Sequence, residues 1–177
     1  MNNIEFEIRS FISKDKYNEL IEFFKNNAEF LNEDYQETYY FDTKEDLRIQ
    51  KNNYFSKIWM KKGKMHDEQR EEIEIKFEKE DFEKLEKMFT SIGINVNIKW
   101  FRTRNNYKWD DIVVSIDYTR GYGYIIELEK MSTEENKTKV LEELKKHFEM
   151  LKIPLTSKEE FDNQFKNYKE NWKTLTA

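Results

Sequence analysis

An α+β fold built on an eight-stranded antiparallel β-barrel with flanking helices is what this sequence predicts, and three observations carry it. Residues 4–12, Ile-Glu-Phe-Glu-Ile-Arg-Ser-Phe-Ile, alternate apolar and charged side chains with the period of two that belongs to a β-strand. The alternation returns in Arg70–Phe77, in Tyr124–Glu129 and at Arg102 and Arg104. Strands from both ends of the chain that carry acids and bases on one face can close that face inward as the lining of a barrel, giving a charged tunnel.

The elements follow in order. Ser13 reads as the cap of a helix whose apolar stripe of Tyr17, Leu20, Ile21, Phe23 and Phe24 runs to about Asn27. Glu37–Thr43 is rich in β-formers and reads as a strand, and Asp46–Gln50 as the next. Residues 51–53 turn the chain into a partner strand over Tyr54–Lys62, and the polar loop 64–69 leads to the Arg70 strand. Asp81–Ile92 carries Phe82, Leu85, Met88 and Phe89 at helical spacing, and Gly93 closes that helix. Three meander strands follow over Val96–Tyr107, Ile112–Tyr118 and Tyr122–Lys130, with Gly121 and Gly123 marking the last tight connection. A helix over Ser132–Leu151 opens on Ser132-Thr133-Glu134-Glu135, which resembles a capping box, and a last helix covers Ser157–Trp172. No linker or repeat interrupts the pattern, so residues 1–177 read as a single domain.

Composition narrows the chemistry. With 37% hydrophobic and 16% aromatic residues the chain can bury a core, and its 38% charged residues are mixed in sign. A net charge of −5 supplies no general basic surface for nucleic acid. The absence of cysteine removes disulfides, thiolate metal sites and thiol nucleophiles together. Four glycines and one proline leave no Gly-rich nucleotide loop. No signal peptide or membrane-length apolar run is visible, which makes a cytoplasmic protein the expectation. Nothing in the sequence decides whether it forms a homodimer.

Seven signals then arrive in the order of one family. Glu5-x-Glu7-x-Arg9, Tyr39-Tyr40-Phe41-Asp42-Thr43, Leu47-Arg48-Ile49, Lys62-Gly63, Arg70-x-Glu72-x-Glu74, Arg102-x-Arg104-x-x-Tyr107 with Ile116-Asp117, and Glu127-Leu128-Glu129 resemble the CYTH superfamily, the triphosphate tunnel metalloenzymes. Arg9 stands where that family has lysine. The resemblance implies the triphosphate tunnel fold and an enzyme of the group that includes inorganic triphosphatases, thiamine triphosphatases, class IV adenylyl cyclases and capping RNA triphosphatases.

It also implies a division of labour. Arg9, Arg48, Lys62, Arg70, Lys76, Arg102 and Arg104 take phosphate oxygens, because guanidinium stays charged when desolvated and its fork holds two oxygens. Lys62 is preferred over Lys61 because it precedes Gly63. Glu5, Glu7, Asp117, Glu127 and Glu129 hold Mg²⁺ or Mn²⁺, hard cations that prefer carboxylate oxygens. Glu127 or Glu129 handles the attacking water, and Glu72 and Glu74 line the tunnel. The favoured activity is hydrolysis of inorganic, thiamine or nucleoside triphosphate; the alternatives are a class IV-type adenylyl cyclase and a triphosphate- or nucleotide-binding module without turnover. Trp59 reads as packing, with base stacking as its other use.

Overall fold

The computed structural model describes residues 4–61 and 72–177. Eight strands and four α-helices alternate along them: β1 (Ile4–Ile12), α1 (Lys14–Asn27), β2 (Glu29–Phe41), β3 (Asp46–Lys51), β4 (Ser56–Lys61), β5 (Glu72–Phe77), α2 (Phe82–Ser91), β6 (Val96–Trp109), β7 (Ile112–Thr119), β8 (Gly123–Ser132), α3 (Lys137–Met150) and α4 (Lys158–Leu175). The strands form one sheet in the order β1-β8-β7-β6-β2-β3-β4-β5. Every pair whose register is defined is antiparallel. Class, strand number and strand direction are those the alternation predicts. The chain divides into two compact units, Met1–Glu33 with Thr103–Tyr168, and Asp34–Arg102 with Lys169–Ala177.

In the first unit, the apolar face of β1, β7 and β8 supplies Phe6, Ile112, Val114, Ile116, Ile126 and Leu128. Leu20 and Phe24 of α1 and Val140, Leu144 and Phe148 of α3 complete that core. The side chain of Ser13 caps α1 by accepting from Lys16 N, as its place in the sequence predicts. Ser10 lies on the core face of β1 and is fully buried, so its hydroxyl needs partners. Its Oγ donates to Pro154 O at 2.6 Å and accepts from Thr156 N at 2.9 Å, which ties the segment before α4 to β1. Phe161 of α4 then stacks on Phe11 with ring centroids 4.6 Å apart.

The second unit has its own core of Tyr39, Phe41, Ile49 and Phe82, lined by Leu47, Ile58, Leu85, Phe89, Ile94 and Val96. Gly93 ends α2 at φ 89°, a conformation that costs glycine nothing, while Ile94 N reaches back to Phe89 O.

Two elements differ from the sequence expectation. β2 begins at Glu29, eight residues before Glu37, in a stretch whose exposed side chains show no clean alternation. The proposed capping box at Ser132 does not form: Ser132 is the last residue of β8, paired with Ile4. A 3₁₀ turn over Glu134–Asn136 precedes α3, and the side chain of Thr133 caps no backbone N–H there, its Oγ1 accepting instead from Asn136 Nδ2 at 3.1 Å.

Phe24 is fully buried and touches the rings of Tyr107 and Trp109. Phe24→Ala should therefore lower stability by about 3–5 kcal/mol. Urea unfolding followed by circular dichroism checks this, and a loss under 1 kcal/mol would mean the site collapses around the vacancy.

Candidate active site

In the first unit, the face of the sheet opposite the core carries the charge. On β1, Glu5, Glu7 and Arg9 share that face by strand pleating. The β1–β8 register sets Glu7 opposite Glu129 and Arg9 opposite Glu127, and the β7–β8 register sets Ser115 opposite Glu127. Asp117 follows one pleat beyond Ser115, and Arg104 of β6 reaches across to it. The structure thus brings together seven residues singled out in the sequence: Glu5, Glu7, Arg9, Arg104, Asp117, Glu127 and Glu129.

Their electrostatics are uneven. Arg104 is gripped at one edge: Nε donates to Asp117 Oδ1 at 2.8 Å and Nη2 to Asp117 Oδ2 at 2.7 Å, with Nη2 also 3.4 Å from Glu127 Oε1. Burial disfavours its charge, but Asp117 and Glu127 outweigh that and raise its pKa above the usual arginine value. Glu7 and Glu129 make no hydrogen bond or ion pair among the described residues. Repulsion from Glu127, then burial, pushes the Glu7 carboxyl up to about 7, although Arg9 pulls the other way. Glu129 is also pushed up to about 7, by burial first and then by Glu5, Glu127 and Glu7. Arg9 lies over the Phe161 ring, 4.8 Å from its centroid.

The second unit holds the other candidates. On β3, Arg48 is clamped by its neighbour Asp46, with Nε to Oδ1 at 2.7 Å and Nη2 to Oδ2 at 2.6 Å. Its guanidinium lies over the ring of Tyr40 at 4.2 Å, and it stands in register with Tyr40 on β2 and Trp59 on β4. Trp59 is buried, in keeping with a packing role. Arg102 donates twice to Gln36 Oε1. Glu72, Glu74 and Lys76 share one face of β5, all exposed. Glu74 accepts from Lys57 at 2.8 Å, and Glu72 pairs with Lys61 at 3.0 Å. Lys57 and Lys61 were not among the chosen residues, although they alternate with Ile58 and Met60 and the period of two marks both. Lys62 and Arg70 lie outside the described residues.

Four glutamates and an aspartate share one face, and carboxylate oxygens are what a hard divalent cation prefers. Among the described residues no three of them converge as a ready-made cage. The donor set fits Mg²⁺ or Mn²⁺.

A carboxyl whose folded pKa lies above its ordinary value keeps its full stability below about pH 4.5 and loses it as pH rises through about 7. In metal-free buffer at pH 8, Glu7→Gln should raise Tm by about 2–4 °C. The gain should vanish near pH 4.5, where Glu7 of the native chain is protonated. Differential scanning at the two pH values checks this; equal melting at both would mean that Glu7 carries no repulsion.

Residues 3–161 match the CYTH domain family. The chain is 35% identical over 162 residues to a protein of Methanocaldococcus jannaschii that carries a provisional adenylate cyclase name, covering 85% of this chain and 90% of that one. A conserved hypothetical protein of Pyrococcus furiosus has a similar structure, with a TM-score of 0.70 at 22% identity, covering 85% of this chain and 92% of that one. A Vibrio parahaemolyticus protein, also provisionally named an adenylate cyclase, gives 0.65 at 15% identity, with 90% and 98% covered. At these identities the structural likeness speaks for the fold. The order of motifs, the antiparallel sheet and a family match spanning almost the whole chain lead to one conclusion: the chain belongs to the CYTH domain family.

Proposed function

We propose that this protein is a metal-dependent phosphohydrolase that releases phosphate from inorganic triphosphate or a small organic triphosphate. One observation carries the reading: Glu7 and Glu129 stand opposite each other in register with no hydrogen bond or ion pair among the described residues, on a face where five of the described carboxylates stand against Arg9 and Arg104. Like charges opposed across two strands are destabilising, and a bound cation relieves them. Membership in a family that acts on triphosphate-bearing substrates supplies the substrate class.

Glu5, Glu7, Glu127 and Glu129 are the residues we assign to a divalent cation, which supplies positive charge against the phosphates and Lewis acidity when bound. Arg9 and Arg104 neutralise phosphate oxygens, and Arg104 retains its proton throughout because Asp117 and Glu127 stabilise it. Glu127 or Glu129 receives the proton of the attacking water. Glu127 already stands 3.4 Å from Arg104 Nη2, whereas Glu129 makes no such contact among the described residues and is the better placed of the two for that task. No covalent intermediate is needed, since phosphoryl transfer is accelerated mainly by positioning and charge. Arg48, Lys62, Arg70, Lys76 and Arg102 are assigned to phosphate oxygens on their chemistry alone.

The name of the Methanocaldococcus jannaschii relative favours a second reading, conversion of ATP to cyclic AMP and pyrophosphate. Product analysis separates the two. Inorganic triphosphate, thiamine triphosphate, ATP and GTP are each incubated with Mg²⁺ and with Mn²⁺, and orthophosphate, pyrophosphate and cyclic nucleotide are measured. Orthophosphate from the triphosphates is expected. Pyrophosphate with cyclic AMP establishes the cyclase reading instead, and binding without turnover overturns both. Glu5→Gln and Glu7→Gln should each lower turnover by about 10²-fold while the chain stays folded.

A further inference from the structure

We propose that Asp117 is a positioning residue that aims Arg104 at the phosphate chain, and that it does not ligate the metal. The proposal rests on the reading of this face as a metal and polyphosphate site.

The geometry of the pair argues for it. Asp117 is only 3% exposed, and each of its two oxygens accepts one N–H from Arg104, at 2.8 and 2.7 Å. This two-point fork fixes the guanidinium in plane as well as in position. The Nε and Nη2 edge is thereby consumed, whereas Nη1 makes no hydrogen bond among the described residues. A rigid, charged, partly buried donor is left for a ligand that brings acceptor oxygens. To ligate a cation, Asp117 would have to surrender the fork and leave a largely enclosed guanidinium, its side chain 18% exposed, with weakened compensation, an arrangement folded proteins avoid.

Strand register gives an independent argument. Glu7, Glu129 and Val113 form one row across β1, β8 and β7. Asp117 lies four residues along β7 from that row, about 13 Å at the rise of a strand. Its own register partner is Ile125. Asp117 therefore belongs with Arg104 toward one end of the face. Glu7 and Glu129, which make no hydrogen bond or ion pair among the described residues, lie toward the other, and Glu127 stands between them, 3.4 Å from Arg104 Nη2.

The test separates two affinities on the full chain. Mn²⁺ binding is titrated by electron paramagnetic resonance without substrate, and inorganic triphosphate binding is followed by calorimetry in EDTA. Asp117→Asn should leave the Mn²⁺ Kd within about twofold and weaken triphosphate binding by about tenfold, the scale of one charge-assisted hydrogen bond. Glu7→Gln should weaken Mn²⁺ and so reports on the metal reading separately. If Asp117→Asn loses Mn²⁺ to the extent that Glu7→Gln does, or leaves triphosphate affinity unaltered, the proposal is overturned. If Glu7→Gln keeps Mn²⁺ intact, the metal assignment of Glu7 falls and Asp117 is judged on the triphosphate arm. If the native chain binds no triphosphate, the site reading and the role of Arg104 fall together.

Should Asp117→Asn fail to fold, Arg104→Lys decides the matter. A lysine keeps the charge but cannot be held in a two-point fork. Weaker triphosphate binding with unchanged Mn²⁺ supports the positioning role. Tighter Mn²⁺ binding, from an Asp117 released to ligate it, refutes the role.

Discussion

The register between β1 and β8 is the constraint on which the site depends. The apolar face fixes it: Ile8 lies opposite Leu128 and Ser10 opposite Ile126, with Phe6, Ile126 and Leu128 packed in the first core. A slip of one residue would turn Phe6 and Ile8 outward and drive Glu5, Glu7 and Arg9 into that core. Each large apolar side chain contributes about 1.5–3 kcal/mol by its burial, whereas an opposed pair of like charges costs about 0.2–1 kcal/mol. The core therefore prevails and holds Glu7 against Glu129. Charge repulsion at the site is a by-product of packing on the other side of the same strands.

Arginine serves this architecture in ways lysine would not. Arg104 sits partly buried among carboxylates and remains charged there, because the acids offset the cost of its desolvation. Its planar fork matches both oxygens of Asp117 at once, which a single ammonium cannot do. Arg9 lies over Phe161, a stacking contact suited to a flat guanidinium. In the second unit Arg48 repeats the pattern, with Asp46 at its edge and the Tyr40 ring on its face.

The sequence reveals faces far better than partners. Alternation alone placed Glu5, Glu7 and Arg9 on one side of β1, and Glu127 and Glu129 on one side of β8, because pleating is a local property. It did not show that Asp117 grips Arg104, a pairing across 13 residues that the β6–β7 meander sets up. Nor did it show that Asp46 occupies the fork of Arg48, since Asp46 read only as the start of a strand. The early start of β2 was hidden because Asn32 and Asp34 are poor strand formers. Asp34 is used instead to accept from Asn53 N in the turn between β3 and β4. The false capping box at Ser132 has a tertiary cause: the backbone there pairs with Ile4, and that ladder overrides a local helix signal.

The first unit's charged face is mismatched to any simple ion. A free polyphosphate would meet Glu7 and Glu129, and a free divalent cation would meet Arg9 and Arg104. Each alone satisfies part of the face and aggravates the rest. A cation and a polyphosphate arriving together present both signs, so that the cation relieves the Glu7 and Glu129 pair while phosphate oxygens take the open Nη1 edge of Arg104. On the proposed function, the two ligands must therefore strengthen each other's binding, and by linkage the coupling is equal in both directions. The same mixture of signs disfavours substrates that lack a chain of phosphates, since nothing in them could answer the arginines once the cation is in place. Selectivity for the triphosphate group would then arise from the face as a whole, before any contact with the remainder of the substrate.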